Sequence, residues 1–358
     1  MKYVNIASIP GDGIGPEVMQ EAYKVLQAIE TVYSGLKFHI DSYDWGSERY
    51  LKTGEMMPDN GLDILKDYDA ILFGAVGSPN VPDHISVWEL ILPIRKQFQQ
   101  YVNLRPIKLL KGLESPLRNK MSEDIDFIVI RENTEGEYAN SGGGVHENTA
   151  YETVVQNSIF TRTGTERILK YAFNYCTLHD KSRLAVATKS NAINYTMPFW
   201  DEVAKQTAVH FPDIDVDFHH VDALAASFVL NPERFEVVVC SNLFGDILTD
   251  LGAALAGGLG IAPSGNINPE KEFPSMFEAI HGSAPDIAGK GIANPIGQIW
   301  SVSLMLEHLG HRELSQVILK SIEKTLAESH VRTFDLGGTA RTFEFGDEIS
   351  KQILMYEE

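Results

Sequence analysis

Phe235-Glu-Val-Val-Val-Cys-Ser-Asn-Leu-Phe-Gly-Asp-Ile-Leu-Thr-Asp250 holds two periodicities side by side. Residues 235–240 form a short, nearly continuous apolar run, the mark of a strand buried on both faces. A helix over 243–256 follows, with Ile247, Leu248, Leu251, Ala254 and Leu255 expected as its buried stripe. The same alternation recurs in both directions along the chain. Strands are expected at 3–9, 70–76, 127–131, 183–189 and 216–221, and helices at 16–31, 163–178, 196–211, 300–309 and 313–328. Apolar strands separated by helical crossovers predict an α/β protein with open sheets flanked by helices. The run from Tyr138 to Tyr151, with Gly142-Gly143-Gly144, reads as a projecting hairpin or arm.

The chain has 358 residues, 30 Lys+Arg and 49 Asp+Glu, so its formal net charge is −19. That charge argues against nucleic acid or an anionic membrane as partner, since both need a basic face. Two cysteines, Cys176 and Cys240, are too few for a disulfide framework and predict a reducing, cytoplasmic setting. No signal-peptide pattern opens the sequence, and the longest charge-free stretch, 251–269, is broken by Gly and Pro.

Arg131, Lys189 and Asp222 each stand at or just past the carboxyl end of an expected strand, and Asp246 follows another strand at a helix start. Ligands of open α/β sheets bind outside such strand ends. Asp246 and Asp250 are four residues apart and share one helix face, where like charges repel and ask for a cation. With Asp222, three carboxylates could hold a hard divalent ion, and oxygen donors favour Mg²⁺ or Mn²⁺ over zinc. A solvated acidic face would place the same two residues there. Arg95, Arg105 and Arg131 lie beside apolar runs and could together grip a small dicarboxylate through their planar forks, although for a lone Arg an ordinary surface or structural ion pair is the usual explanation. Gly11-Asp-Gly-Ile-Gly-Pro-Glu17 is a tight strand-to-helix turn, not a dinucleotide fingerprint, because Pro16 stands where Gly or Ala is expected. The Gly-rich segment His281–Pro295 permits close approach to a ligand, and Asp286 could accept a ribose's hydroxyls; an ordinary surface loop would have the same composition.

Taken together, Gly11–Glu17, Asn103-Leu-Arg-Pro106, Arg131-Glu-Asn-Thr-Glu-Gly-Glu-Tyr138, Lys189-Ser-Asn191, Asn242–Asp250 and His281–Pro295 resemble the β-decarboxylating dehydrogenases of (R)-hydroxy acids. That family includes the isopropylmalate, isocitrate, homoisocitrate and tartrate/D-malate enzymes, and the resemblance spans essentially the whole chain. It implies a two-domain, isopropylmalate-dehydrogenase-like fold. The cofactor domain would comprise residues 1–102 and 256–358, and the substrate, metal and dimerisation domain residues 103–255, with a protruding arm around 138–158. It further implies a homodimer with active sites shared between subunits.

By the same resemblance, Arg95, Arg105 and Arg131 bind substrate carboxylates, and Asp246 and Asp250 bind the metal with the partner's Asp222. Tyr138 and the partner's Lys189 transfer protons. His281, Gly282, Ser283, Ala284, Asp286 and Asn294 receive the cofactor, with Asp286 matching NAD because it would repel a 2′-phosphate. A monovalent cation such as K⁺ is implied as activator, without a ligand to name.

Trp88, Ile91 and Leu92, in the segment leading to Arg95, are expected to face the substrate's C3 group, and a filled pocket at Trp88 favours H or OH there. The sequence is also similar to the tartrate/D-malate branch at Tyr43–Tyr50, Val81–Ser86 and Gln100–Pro106. The expected reaction is therefore NAD-dependent oxidative decarboxylation of D-malate to pyruvate and CO₂, with tartrate as a second substrate. Isopropylmalate is the alternative substrate. An inactive nucleotide-binding or assembly module is the alternative of another class, and it would have eroded Tyr138, Lys189 and the aspartates first.

Overall fold

The computed structural model describes residues 2–356. The chain begins with β1 (Lys2–Gly11), α1 (Gly15–Val32), β2 (Leu36–Ser42), α2 (Ser47–Thr53), α3 (Gly61–Leu65) and β3 (Ala70–Ala75). A compact run follows: α4 (Asp83–Ser86), a π-turn over Val87–Ile91 and α5 (Leu92–Gln97), then β4 (Val102–Lys108). Next come β5 (Asp126–Glu132), β6 (Gly142–Val145), β7 (Thr153–Gln156), α6 (Arg162–Leu178), β8 (Arg183–Thr188) and α7 (Thr196–Ala208). The middle of the chain ends with β9 (Asp215–His220), α8 (Val221–Leu230), β10 (Val237–Cys240) and α9 (Asn242–Leu255). Last are β11 (Pro263–Ile267), β12 (Ser275–Ala279), α10 (Ile296–His308), α11 (Arg312–Glu328) and α12 (Thr342–Leu354).

Two compact units result. The first comprises residues 1–100, 105–125 and 253–358; the second comprises 101–104 and 126–252. From the sequence the boundaries are expected at 102/103 and 255/256, which leaves 105–125 with the middle segment. In the structure that stretch belongs to the first unit. Leu109 N donates to Ile125 O at 2.9 Å, Ser115 Oγ donates to Leu255 O at 2.7 Å, and Gly112 lies against the backbone of Leu326.

In the first unit the strands run in the order β2-β1-β3-β12-β11, parallel except that β11 opposes β12. One face of this sheet is covered by α1 and the three last helices, which bury Val25, Ile299, Ile318 and Phe345. The other is covered by Trp45, Phe98 and the α4–α5 run, with Leu90 and Ile94 inside. β11 and β12 are not among the expected strands; in β11 Pro263, Gly265 and Asn266 are poor strand formers, and Pro is tolerated here as the first residue of its strand.

The second unit carries the order β5-β10-β8-β9, all parallel. Phe228 packs edge to face on Phe127 and Phe235 within it, at centroid separations of 4.8 and 5.1 Å. From this unit β6 and β7 project as an antiparallel pair with Gly142 opposite Gln156, exposed at every position. Among the described residues no helix is long and apolar enough to cross a membrane.

Candidate functional site

In the second unit, residues 131–138 are stitched to the first turn of α9. Arg131 is 3% exposed. Its Nε and Nη2 donate to Asn242 Oδ1 at 3.0 and 2.7 Å, and its Nη1 donates to Asp246 Oδ1. Such close approach requires Gly245, since a Cβ there would come within 2.6 Å of the Arg131 side chain. Tyr138 Oη donates to Asp246 Oδ2 at 2.8 Å, with Arg131 Cζ 5.7 Å from its ring centroid. Burial, with the Asp246 carboxylate beside it, pushes the Tyr138 hydroxyl up to about 12, so it is protonated at neutral pH.

Glu137 fixes the register of this pairing. Its carboxylate accepts from Ser241 Oγ at 2.7 Å and from Leu243 N at 3.0 Å, satisfying a donor that the helix start leaves without an intrahelical partner. Asn242 Nδ2 donates to Glu135 O at 2.9 Å. Helix α9 buries Leu248 and Leu255, but Ile247 is 58% exposed and Ala254 is also exposed. The apolar stripe is therefore narrower than the five residues expected from the sequence, and Ile247 shares the outward surface with exposed Asp250.

Lys189 Nζ lies 2.6 Å from Asp222 Oδ1, just past the ends of β8 and β9. That ammonium holds the exposed Asp222 carboxyl below the usual carboxylate range. The structure thus joins Arg131 and Tyr138 to Asp246, and Lys189 to Asp222. Among the described residues of this one chain, no three His, Cys, Asp or Glu side chains gather as a metal-holding group. Asp222 is accordingly not brought to Asp246 and Asp250 within the chain. The two α9 carboxylates still suit a hard cation, since both are oxygen donors one helical turn apart.

The first unit contains a cavity of about 180 Å³ at the carboxyl ends of β3 and β12. Arg95, Arg105, Glu278, Ser264, Ile91 and His281 are in its wall. Ile91 lines it, whereas Trp88 and Leu92 do not. Trp88 is instead 37% exposed, with Lys96 Nζ 4.9 Å from its ring centroid.

Beside the cavity, the loop from His281 to Asn294 is held at several points. Ile14 N donates to Ser283 O at 2.8 Å, and Gly13, at φ +58°, leaves no room for a Cβ against that oxygen. Glu17 accepts from the amides of Gly289 and Gly291, and Asn294 Nδ2 donates to Asp335 Oδ2 at 2.9 Å. Ala284 sits in the left-handed region at φ +40°, while Gly282 and Asp286 are exposed. Burial pushes the His281 imidazole down, so it stays neutral, and its Nδ1 lies 3.0 Å from Gly282 O. A backbone loop with exposed Gly282 and Asp286 suits a nucleotide that is gripped through hydroxyls and main-chain groups.

Asn242, Glu137 and Glu278 have no part in the sequence reading as site residues. The first two stand inside quoted motifs but carry no spacing signal of their own. Glu278 lies on β12, a strand not expected at all.

The sequence matches the family model described as isocitrate/isopropylmalate dehydrogenase over residues 5–349. It is 52% identical over 353 residues to the tartrate dehydrogenase/decarboxylase of Pseudomonas putida, covering 96% of each chain. It is 50% identical over 361 residues to the D-malate dehydrogenase (decarboxylating) of Escherichia coli, covering 99% of each. The crystal structure of isocitrate dehydrogenase from Methylococcus capsulatus superposes with a TM-score of 0.88 at 33% identity, over 98% of this chain and 99% of that one. The α/β architecture, the motif-bearing residues and these matches agree: the chain belongs to the isocitrate/isopropylmalate dehydrogenase family.

Proposed function

We propose that this decarboxylating dehydrogenase converts D-malate to pyruvate and CO₂ with NAD as oxidant and Mg²⁺ or Mn²⁺ as Lewis acid, and that it also oxidises tartrate. The coarser reading, an oxidoreductase acting on hydroxy acids with decarboxylation, follows from the family and from relatives at about half identity. What supports the finer one is that relatives at about half identity are tartrate and D-malate enzymes, while the grouping of Tyr138, Arg131 and Asp246 supports the proton-transfer step.

Asp246 and Asp250, with the partner subunit's Asp222, would hold the divalent ion. The loop of His281, Gly282, Ser283, Ala284, Asp286 and Asn294 would hold NAD. When bound, these groups supply polarisation of the C2 oxygen and a hydride acceptor. Arg95, Arg105 and Arg131 bind and orient the substrate's carboxylates. The partner subunit's Lys189 takes the C2 hydroxyl proton as hydride leaves C2. The β-carboxylate then departs as CO₂, its bonding pair passing into C2–C3, and Tyr138 protonates C3. A homodimer is part of this proposal because Lys189 and Asp222 are paired with each other and not with Asp246. Ile91, the one of the three residues Trp88, Ile91 and Leu92 that stands in the cavity wall, is proposed to limit the C3 substituent to H or OH.

The test is NADH formation with Mn²⁺ on D-malate, each tartrate isomer, isopropylmalate and isocitrate, compared as kcat/KM. Highest values on D-malate or tartrate are expected. Highest values on isopropylmalate would overturn the substrate assignment and leave the reaction type standing.

A further inference from the structure

Glu278 is 7% exposed and stands near the carboxyl end of β12, in the cavity wall that also contains Arg95 and Arg105. One of its oxygens, Oε1, accepts two hydrogen bonds: from Arg95 Nη2 at 2.7 Å and from Asn266 Nδ2 at 2.7 Å. Asn266 is fully buried on β11, whose Ser264 pairs directly with Glu278. Residues two apart on a strand share a face, so the Asn266 amide reaches the carboxylate diagonally from the neighbouring strand. A carboxylate held in this way by a rigid sheet is a fixed anchor. Arg95, by contrast, is carried by the short helix α5 immediately after the π-turn.

The anchor grips only part of the guanidinium. Arg–carboxylate pairs are frequently bidentate, whereas here Nη2 is engaged and the buried Nε of Arg95 has no protein partner. A pair that engages one guanidinium nitrogen leaves the rest of the fork for another acceptor. The cavity's charges point the same way. Two guanidinium groups and one carboxylate leave it with a single net positive charge, suited to one carboxylate end of a small substrate.

We propose that Glu278 is the positioning residue of Arg95: anchored by Asn266, it fixes the plane of the guanidinium so that the rest of the fork meets the substrate carboxylate. The inference rests on the assignment of Arg95 to substrate binding made above. Glu278 touches no reacting atom in this role, so its effect falls on substrate affinity.

The test is a comparison of Glu278→Ala, Glu278→Asp and Glu278→Gln with the parent enzyme, measuring KM for D-malate and for NAD, kcat, and the melting temperature. Glu278→Ala should raise the D-malate KM by about tenfold or more, the scale of one hydrogen bond to a charged group, and leave the NAD KM and kcat within about threefold. Glu278→Asp keeps the charge but is one methylene short of Arg95, so it should raise the same KM; if the alanine variant does not fold, this variant carries the test. Glu278→Gln keeps an acceptor and should recover much of the lost affinity. An unchanged D-malate KM in the alanine and aspartate variants, with losses only in melting temperature or kcat, would overturn the proposal and leave Glu278 as a structural ion pair. If another hydroxy acid of the panel is the better substrate, the same comparison is read on that acid. A parent enzyme inactive on the whole panel would overturn the functional reading and the role of Arg95 together.

Discussion

Asp246 takes Arg131 on one oxygen and Tyr138 on the other. A phenol placed there can deliver a proton, and its raised pKa keeps the proton on until a stronger base such as a carbanion forms. Tyr138→Phe removes only that hydroxyl. Steady-state kinetics on D-malate should show kcat reduced by roughly 10²- to 10⁴-fold, the usual weight of one general acid, with KM changed little. An equal loss in KM would mean that Tyr138 binds substrate instead. At this scale Arg131, Asp246 and Asp250 are legible in the sequence from a strand end and an i, i+4 spacing, whereas Tyr138 is picked out by the family resemblance alone. Their partners are not. Asn242 pairs with Arg131 across 111 positions and Glu278 with Arg95 across 183, and nothing local in the sequence records either pairing.

At the scale of the element, the decisive unit is α9 with the segment that precedes the arm. Glu137 satisfies the first turn of α9 and thereby sets where Asp246 and Asp250 stand. Loss of a helix N-terminal cap costs about 0.5–2 kcal/mol. Glu137→Ala should therefore lower the unfolding free energy from denaturant titration by that amount and weaken Mn²⁺ binding in a direct titration. Glu137→Gln, which keeps an acceptor, should fall between the variant and the parent. Most elements were readable because their apolar runs are long: β3, β5, β8 and β10 match their expected positions to within two residues. β11 was hidden by Pro263 and Gly265, and β4 by Arg105 and Pro106. In these strands the sheet, not the local composition, decides the backbone.

At the scale of the whole molecule, the proposed homodimer has sites built from both subunits. Lys189→Ala and Asp246→Asn homodimers should each be inactive. Co-expressed, they should regain about a quarter of the parent activity, because half the dimers are mixed and each mixed dimer has one intact site. No recovery would mean that each subunit catalyses alone.

Acid stability belongs to the same scale. Burial pushes His308, with Nε2 at 3.0 Å from Ser275 Oγ, down to about 4 from 6.5. Between those values the unfolded chain binds a proton that the folded chain refuses. Stability from this group is complete above pH 6.5 and is lost as the pH falls towards 4, on the order of 3 kcal/mol in all. Urea unfolding at several pH values should therefore show a shallower acid loss in His308→Gln than in the parent.

The most direct measurement is the product balance when limiting D-malate is consumed with NAD and Mn²⁺. The proposed reaction gives equal amounts of NADH, pyruvate and CO₂, and none of them once EDTA has removed the metal. NADH formed without CO₂, or turnover that survives EDTA, would contradict it.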